Sequence, residues 1–154
     1  WSILVDGRQT MSVGTTHTES AEILRRWGCT EAINLDGGGS STLHALGVTL
    51  NRPSGGVERS VANGVILYSS MPTAKWKDAG AIPAPVKAKQ GDVLQLSMQM
   101  FGVQGEPSSV IWTCQGSGWI DQEGRLTCHA AGKAEVAVLL GGNVIRMSVT
   151  ISPE

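Results

Sequence analysis

One stretch decides how the first half of the chain folds: Ala32-Ile33-Asn34-Leu35-Asp36-Gly37-Gly38-Gly39-Ser40-Ser41-Thr42. Its apolar start predicts a short strand, which leads into a carboxylate, three glycines and three hydroxyl side chains. Because glycines lack a Cβ, their backbone N–H groups can approach a ligand closely, and the hydroxyls add donors for oxygen-rich groups. Such a loop at the end of a strand predicts an anion-binding site. The alternative is a glycine-rich turn that Asp36 merely caps.

The residues before this loop predict a strand followed by a helix. The apolar run 3–5 ends at Asp6 and Arg8. Thr16 and Glu19 have the spacing of a capping box, and the apolar stripe that follows ends at Gly28, a typical residue after a helix. Strand, helix and strand in this order indicate a β-α-β unit with parallel strands. We therefore expect Asp6, Arg8 and residues 36–42 to lie side by side at one edge of a sheet.

The segment after the loop predicts a hairpin and a further strand. Residues 42–46 and 48–50 flank Gly47 as the two arms of the hairpin, and residues 51–56 are rich in turn formers. Arg59 stands just before an apolar strand, residues 61–68. A charge at this place indicates a nearby anion, or alternatively an ion pair with Glu58 or another surface acid.

Composition limits the possible functions. The chain has 154 residues, a formal net charge of -1 and only 16% charged residues, so nothing indicates nucleic-acid binding or a polybasic membrane surface. No apolar run approaches the roughly 18 residues of a membrane span. Since the chain begins with Trp1 inside an apolar pattern, we expect it to be part of a longer protein. Cys29 is expected to be a free thiol, whereas Cys114 and Cys128 either pair in an extracellular setting or remain unpaired.

The second half changes character at residue 71. A polar segment with prolines and alanines, residues 71–85, predicts a linker with an extended entry strand, and short alternating segments separated by glycine turns follow it. They predict an antiparallel sandwich with strands at 93–98, 110–114, 118–121, 124–128, 134–140 and 144–151. Trp112 is expected in its core, whereas Trp76 and Trp119 are less certain and could face outward.

Five motifs of residues 1–70 together resemble the phosphodiester glycosidase family, which includes the N-acetylglucosamine-1-phosphodiester α-N-acetylglucosaminidase domain. They are Leu4-Val5-Asp6-Gly7-Arg8, Thr16-x-x-Glu19-x-Ala21-Glu22, the stretch 32–42, Asn51-Arg52-Pro53 and Glu58-Arg59-x-Val61-Ala62-Asn63. The resemblance implies hydrolysis of a sugar-1-phosphodiester at its glycosidic bond. It also implies that the family's domain is longer and that the missing part would precede Trp1, in the same molecule or as a separate chain.

The chemistry of this reaction suggests roles for the matching residues. Asp36 and Asp6 are the candidate catalytic carboxylates, and each has the alternative of a hydrogen-bonding or metal-holding role. Arginine suits phosphate oxygens, and loop amides and hydroxyls supply uncharged donors. The candidate substrate- and phosphate-binding residues are Arg8, Asn34, Gly37, Gly38, Gly39, Ser40, Ser41, Thr42, Arg59 and Asn63. No cofactor is firmly implied, and a divalent cation is left open.

Residues 86–154 resemble the bacterial immunoglobulin-like domains, on the residues Val110-Ile111-Trp112, Ile120-Asp121-x-x-Gly124-Arg125-Leu126-Thr127 and Ala131-Gly132-Lys133-Ala134-Glu135-Val136. The expected fold is therefore α+β: a partial, mixed-sheet glycosidase domain, a linker and an all-β sandwich. The resemblance implies an exported bacterial protein at the cell surface or outside the cell, with a sugar-1-phosphodiester or glycan as substrate. The alternative function is a non-catalytic carbohydrate- or surface-binding module that uses the glycine loop as an anion cradle.

Overall fold

A computed structural model describes residues 1–68, 86–101, 103 and 110–154 of the chain. The chain divides into two compact units. The first consists of Trp1–His44 and Asn51–Leu67, and the second of Ala45–Leu50 together with Tyr68–Glu154. The proposed linker 71–85 and Trp76 lie outside the described residues, and the domain boundaries at residues 70 and 86 stay a prediction.

The first unit contains one helix, α1 (His17–Arg26), and its start is the one that the sequence predicts. The Thr16 side chain accepts from the N–H of Glu19 at 3.2 Å, and the Glu19 carboxylate accepts from the N–H of Thr16 at 2.8 Å. Together these bonds satisfy two N–H groups that a helix start leaves without partners. Gly28 follows the helix with a φ of +85°, a left-handed conformation that glycine adopts without strain. The capping box and the end of the helix are confirmed.

The three strands predicted for residues 3–5, 32–35 and 61–68 are wrong in this structure, since none of these segments is a strand. A strand forms when a neighbouring backbone pairs with it and a packed surface covers its apolar side chains. Neither is found among the described residues: Ile33 is 85% exposed and Leu67 is 88% exposed. The parallel β-α-β unit is therefore absent from the described part of residues 1–68, and with it the mixed sheet expected there.

The predicted hairpin around Gly47 is confirmed. Its strands are β1 (His44–Ala45) and β2 (Val48–Thr49), which form a two-stranded sheet. Leu46 and Gly47 form the turn with φ values of +52° and +73°. Positive φ at both central residues is the geometry of a type I′ turn, whose twist matches that of the paired strands. Glycine suits this geometry, whereas leucine is strained in it.

Replacing Leu46 with asparagine should stabilise the hairpin. Asparagine tolerates the left-handed conformation better than leucine, and Leu46 is 54% exposed, so little apolar burial is lost. We expect a gain of about 1 kcal/mol in local stability, measured as slower amide hydrogen exchange in residues 44–49. Leu43→Asn is the control, because Leu43 is also exposed but does not have a positive φ. An equal gain in both variants would contradict relief of strain as the cause.

The second unit contains two further sheets. Their strands are β3 (Val86–Lys89), β4 (Val93–Gln95), β5 (Ile111–Gly116), β6 (Gly118–Ile120), β7 (Arg125–Cys128), β8 (Gly132–Leu140) and β9 (Asn143–Ser152). One sheet has the order β3-β9-β8-β5 and the other has the order β4-β7-β6. All described pairs in these two sheets are antiparallel except β3 with β9, which run parallel. The six strands predicted from alternation are confirmed, although β4 ends earlier than predicted and a 3₁₀ turn, Met98–Phe101, follows it. Taken whole, the described chain is rich in strands with one α-helix, which agrees with the coarse α+β prediction.

Both of these sheets contribute to one buried apolar cluster. In β8 the alternate residues Ala134, Val136 and Val138 are fully buried in it. Trp112 is 7% exposed and packs edge-on against Phe101 with ring centroids 5.3 Å apart, which confirms its place in the core. Trp119 is 38% exposed. The immunoglobulin-like assignment of this sandwich stays a prediction.

Two side chains of the β6–β7 turn, Asp121 and Gln122, form hydrogen bonds with nearby backbone groups. Asp121 accepts from the N–H groups of Glu123 at 3.0 Å and Arg125 at 2.9 Å. Next to it, the Gln122 amide accepts from the N–H of Trp112 at 3.1 Å and donates to the carbonyl of Trp112 at 2.9 Å. Trp112 belongs to β5, an outer strand of its sheet, so Gln122 occupies the N–H and carbonyl of this one residue on the open side of the strand.

The three cysteines are free thiols. Cys29 is half-buried, whereas Cys114 and Cys128 are buried in the sandwich core. Burial, with a smaller contribution from the Asp92 carboxylate, raises the pKa of Cys128. A raised pKa disfavours the reactive thiolate, so Cys128 is a core residue in this structure.

Candidate functional site

Arg8 is carried by a tight turn that starts at Asp6. The N–H of Arg8 donates to the carbonyl of Val13 at 3.4 Å, and Gln9 and Ser12 exchange backbone hydrogen bonds of 3.0 and 3.3 Å. Arg8 itself has a φ of +57°, which is strained for a residue with a side chain. Strained backbone of this kind is concentrated at functional sites, because the surrounding structure must hold it in place.

The glycine loop folds back on its own carboxylate. The N–H of Gly37 donates to Asp36 at 2.8 Å, and Gly38 starts a 3₁₀ turn, Gly38–Ser40, with a φ of +66°. The N–H of Ser41 closes the turn on the carbonyl of Gly38 at 3.2 Å. Asp36 therefore takes the Gly37 N–H that was expected to face a ligand. The N–H groups of Gly38 and Gly39 have no acceptor among the described residues.

Two arginines approach this turn. A Cβ built on Gly38 would lie 3.7 Å from Nη1 and 3.8 Å from Cζ of Arg8, so the guanidinium lies directly against the loop. A Cβ built on Gly39 would lie 3.8 Å from Cδ of Arg59. Both arginine side chains are exposed, and neither has a hydrogen bond or ion pair within the described chain. The arrangement thus places two positively charged side chains at one turn.

Asp36 is the acid at this turn. The N–H of Gly37, then the Ser40 hydroxyl and more weakly the charge of Arg59 lower the pKa of Asp36 below its ordinary value, while partial desolvation opposes them. All three favourable groups stabilise the carboxylate over the carboxylic acid. At neutral pH Asp36 is ionised, which suits a base, a nucleophile or a charge-stabilising group and does not suit a proton donor.

The lowered pKa of Asp36 predicts how the loop responds to acid. A carboxyl whose pKa is lower in the folded state than in the unfolded state stabilises the fold above its unfolded value and loses that contribution as pH falls through the folded value. The Gly37 amide resonance should therefore titrate with a midpoint below 3.8, the ordinary pKa of aspartate. An NMR titration measures it, and Asp36→Asn should abolish the transition. A midpoint at or above 3.8 would contradict the hydrogen bonds described for Asp36.

Asp6 is linked to the glycine loop through the side chain of Asn51. Its two oxygens accept from the N–H of Arg52 at 3.0 and 2.9 Å, and Oδ1 also accepts from the Asn51 amide at 3.0 Å. Asn51, which is 8% exposed, donates to the carbonyl of Ser41 at 3.0 Å and accepts from the N–H of Leu43 at 2.7 Å. In this structure Asp6 holds the backbone of Arg52 and the side chain of Asn51 in place, which is the hydrogen-bonding alternative named for it. Its catalytic role stays a prediction.

The segment that carries Arg59 is held by a contact of the preceding residue, Glu58. Glu58 does not pair with Arg59; its Oε1 lies 2.7 Å from Nε2 of His44, and both side chains are about half exposed. This contact joins the segment that carries Arg59 to the end of the glycine loop. The sequence had suggested Glu58 or another surface acid as a partner of Arg59; Glu58 contacts His44 instead, and Asp36 is an acid whose pKa the charge of Arg59 lowers.

Residues 1–68 match the family model of the phosphodiester glycosidases. The match covers 68 of the 154 residues, and it contains every candidate site residue. It supports hydrolase and glycosidase activity at the level of the family.

A curated relative resembles the same part of the chain. The SPbeta prophage-derived uncharacterized protein YomE of Bacillus subtilis (strain 168) is 41% identical over 61 residues. The aligned part is 40% of this chain and 10% of the relative, so the chain spans only about a tenth of the relative's length. No solved structure matches the chain.

The remaining candidates in residues 1–68 are less well placed. Asn34 donates to the carbonyl of Leu35 at 2.8 Å, and Asn63 lies in the exposed run 61–67 without a described contact to the loop. Ser40 and Ser41 serve the loop itself, Ser40 through Asp36 and Ser41 by a weak 3.4 Å bond to the carbonyl of Asp36. Thr42 is half-buried beside them. Their ligand-binding roles stay predictions.

Sequence analysis missed the contacts that position the loop. Asn51 and the His44–Glu58 pair are not marked by any local pattern, although Asn51-Arg52-Pro53 belonged to the motifs that carry the family resemblance. Among the described residues no three His, Cys, Asp or Glu side chains are grouped as metal ligands. Nor does any helix in the described ranges have the length and hydropathy needed to cross a membrane.

Proposed function

We propose that the protein hydrolyses the glycosidic bond of a sugar-1-phosphodiester, releasing a free sugar and a phosphomonoester. The observation that carries the proposal is the approach of Arg8 and Arg59 to the Gly38–Ser40 turn, beside an ionised Asp36. The family match supports the reaction class, and the substrate is inferred from the chemistry of these side chains.

The charges suit a phosphodiester. Its phosphorus carries one negative charge shared by two non-bridging oxygens, and a guanidinium offers a planar pair of donors to such oxygens. Arg8 and Arg59 bring two arginine side chains to a turn whose own carboxylate is Asp36. The N–H groups of Gly38 and Gly39, which no acceptor in the described part of the chain occupies, add uncharged donors at the same place.

The reaction needs little help at the leaving group. Breaking the bond between the sugar C1 and the bridging oxygen sends the electron pair to a phosphate, which is a stable anion. Water supplies the hydroxyl of the new sugar and its proton leaves to a base. Asp36 acts at the sugar C1, where its carboxylate stabilises the developing positive charge or activates the attacking water. Arg8 and Arg59 hold the departing phosphate and balance its growing charge.

A second function is favoured by one observation. Glycoside hydrolysis ordinarily uses two carboxyl groups, and both Asp6 oxygens are occupied by Arg52 and Asn51. A loop with Asp36 alone would serve a non-catalytic module that binds a phosphorylated carbohydrate. Turnover by the full-length protein separates this binding function from the enzyme.

The proposal also concerns location and partners. The resemblance of residues 86–154 to bacterial immunoglobulin-like domains supports a place outside the cell or at its surface. The exposed apolar side chains of residues 32–35 and 61–67 support coverage by further polypeptide of the same domain, in the same molecule or as a separate chain.

Replacing Arg8 with alanine tests the proposed function. The loss of a charge-assisted hydrogen bond to phosphate should weaken binding of a sugar-1-phosphodiester by the full-length protein by about 10- to 100-fold. Arg25→Ala is the matched control, because it removes the same charge from an exposed helix position that pairs with Glu22. Calorimetry measures the affinity and a sugar-release assay measures turnover. Equal affinities of the two variants would contradict a phosphate site at the loop.

A further inference from the structure

Two side chains of the turn that carries Arg8 bind the backbone of Arg52. Asp6, at the start of the turn, accepts from the N–H of Arg52 at 3.0 and 2.9 Å. Gln9 follows Arg8, and its side-chain amide donates to the carbonyl of Arg52. Because one of these side chains lies before Arg8 and the other directly after it, the backbone of Arg52 determines where the turn lies.

The residue before Arg52 binds the end of the glycine loop. The Nδ2 group of Asn51 donates to the carbonyl of Ser41 at 3.0 Å, and its Oδ1 accepts from the N–H of Leu43 at 2.7 Å. The same Nδ2 group also donates to Oδ1 of Asp6 at 3.0 Å. Asn51 is 8% exposed, so water would replace a lost partner only at a cost in free energy.

The chemistry of its partners fixes the orientation of the Asn51 amide. The Asp6 carboxylate and the Ser41 carbonyl are both acceptors, so the NH₂ end of the amide has to face them. Its oxygen then faces the N–H of Leu43, which is a donor. An aspartate at position 51 would have nearly the same shape but would present oxygen atoms to two acceptors. Asparagine satisfies all three groups at once.

Asp6 takes part in both sets of bonds. Its carboxylate accepts from the backbone of Arg52 and from the side chain of Asn51. It therefore connects the turn that carries Arg8 with the loop against which the Arg8 guanidinium lies. All of these residues belong to the first compact unit, so the connection lies within one unit.

We propose that Asn51 and Arg52 link the Arg8 turn to the glycine loop, and that Asp6 is a positioning residue of this loop that acts through the amide of Asn51. The link maintains the approach of the Arg8 guanidinium to Gly38. It gives Asp6 a task in the site that is separate from bond cleavage. The link is also independent of which reaction the site performs, so its test stands apart from that of the proposed function.

Amide hydrogen exchange of the full-length protein, observed by NMR, tests the link at Leu43. The N–H of Leu43 bonds Asn51 and not Asp6. Asp6→Ala should nevertheless make this amide exchange about tenfold faster, because Asn51 loses an acceptor that orients it. Asp6→Asn keeps an acceptor oxygen and removes the charge, so it should bring the Leu43 rate back to within about threefold of wild type. The amides of α1 should keep their wild-type rates in both variants.

A double-mutant cycle shows whether Asp6 acts through Asn51. In Asn51→Ala the N–H of Leu43 has already lost its acceptor, so adding Asp6→Ala should change the Leu43 rate by less than about twofold. Asp121→Ala is the matched control, because Asp121 also accepts from two backbone N–H groups but lies in the second unit. It should leave the Leu43 rate unchanged. Fully additive effects of the two substitutions at Leu43, or an Asp6→Asn rate as fast as that of Asp6→Ala, would overturn the proposal.

A measurement on the wild type decides the matter if Asp6→Ala unfolds the first unit, which faster exchange of the α1 amides would reveal. Both NH₂ protons of Asn51 should exchange with water at least about tenfold more slowly than those of the exposed Asn63. Slower exchange at Asn51 supports the link, and equal rates at the two side chains refute it.

Discussion

Asp36→Asn should lower turnover of a sugar-1-phosphodiester about a thousandfold, within the range found for a positioned acid–base group. The amide side chain has the same shape and can still accept from the N–H of Gly37, so the loop should remain folded. What it loses is the negative charge that stabilises or activates groups at the sugar C1. Sugar release by the full-length protein measures the effect.

The matched control is Glu31→Gln, which removes an exposed carboxylate from the same segment. Turnover of Asp36→Asn within a few fold of this control would contradict a reacting role for Asp36. Phosphate affinity supplies an independent measurement, because removing a negative charge beside Arg59 should tighten anion binding. Tighter binding in the variant, with no turnover in either protein, would support the non-catalytic function.

Gly116→Ala should destabilise the sandwich by about 3 kcal/mol or more, since it combines backbone strain with a collision. Gly116 ends β5 with a φ of +85°, and a Cβ there would collide with the carbonyl oxygen of Lys133. The oxygen belongs to backbone at the start of β8, which can move only by disturbing its pairing with β5 and β9. Faster amide exchange in β8 and a lower midpoint of chemical denaturation should report the loss.

Gly28→Ala separates the two causes. Gly28 has the same φ of +85°, but nothing lies within 4 Å of the Cβ that alanine would add. Strain alone should cost it about 1 kcal/mol, measured by exchange of the α1 amides. Comparable losses in the two variants would show that the collision with Lys133 is relieved by small movements.

Local patterns predicted the elements that depend on nearby residues. The capping box of Thr16 and Glu19 satisfies N–H groups within one turn, so its sequence spacing suffices. The turn at Gly47 and the alternating strands of residues 111–151 are similar cases, because turn geometry and a two-residue period are visible in a short window. Arg8 was expected beside the glycine loop from a β-α-β unit, and Arg59 was singled out by its place before an apolar segment. Both side chains do reach the loop, although neither the β-α-β unit nor the strand after Arg59 forms among the described residues.

The wrong strands and the missed contacts share one physical cause. Residues 32–35 have the composition of a strand, but pairing depends on another backbone, and none pairs with them among the described residues. Asn51 bonds Asp6 across 45 positions of sequence, and Thr113 bonds Thr49 across 64. Such contacts are set by tertiary packing, which a single sequence does not display.

The Gln122 side chain on β5 has a consequence for the behaviour of the protein in solution. An outer strand whose N–H and carbonyl groups are open can recruit a strand from another molecule, which begins aggregation. The Gln122 amide bonds the N–H and the carbonyl of Trp112, which are the groups that a neighbouring strand would otherwise pair with. A second molecule would have to displace it before extending the sheet there. At Trp112, therefore, a single neutral side chain stands in the way of a strand from a second molecule.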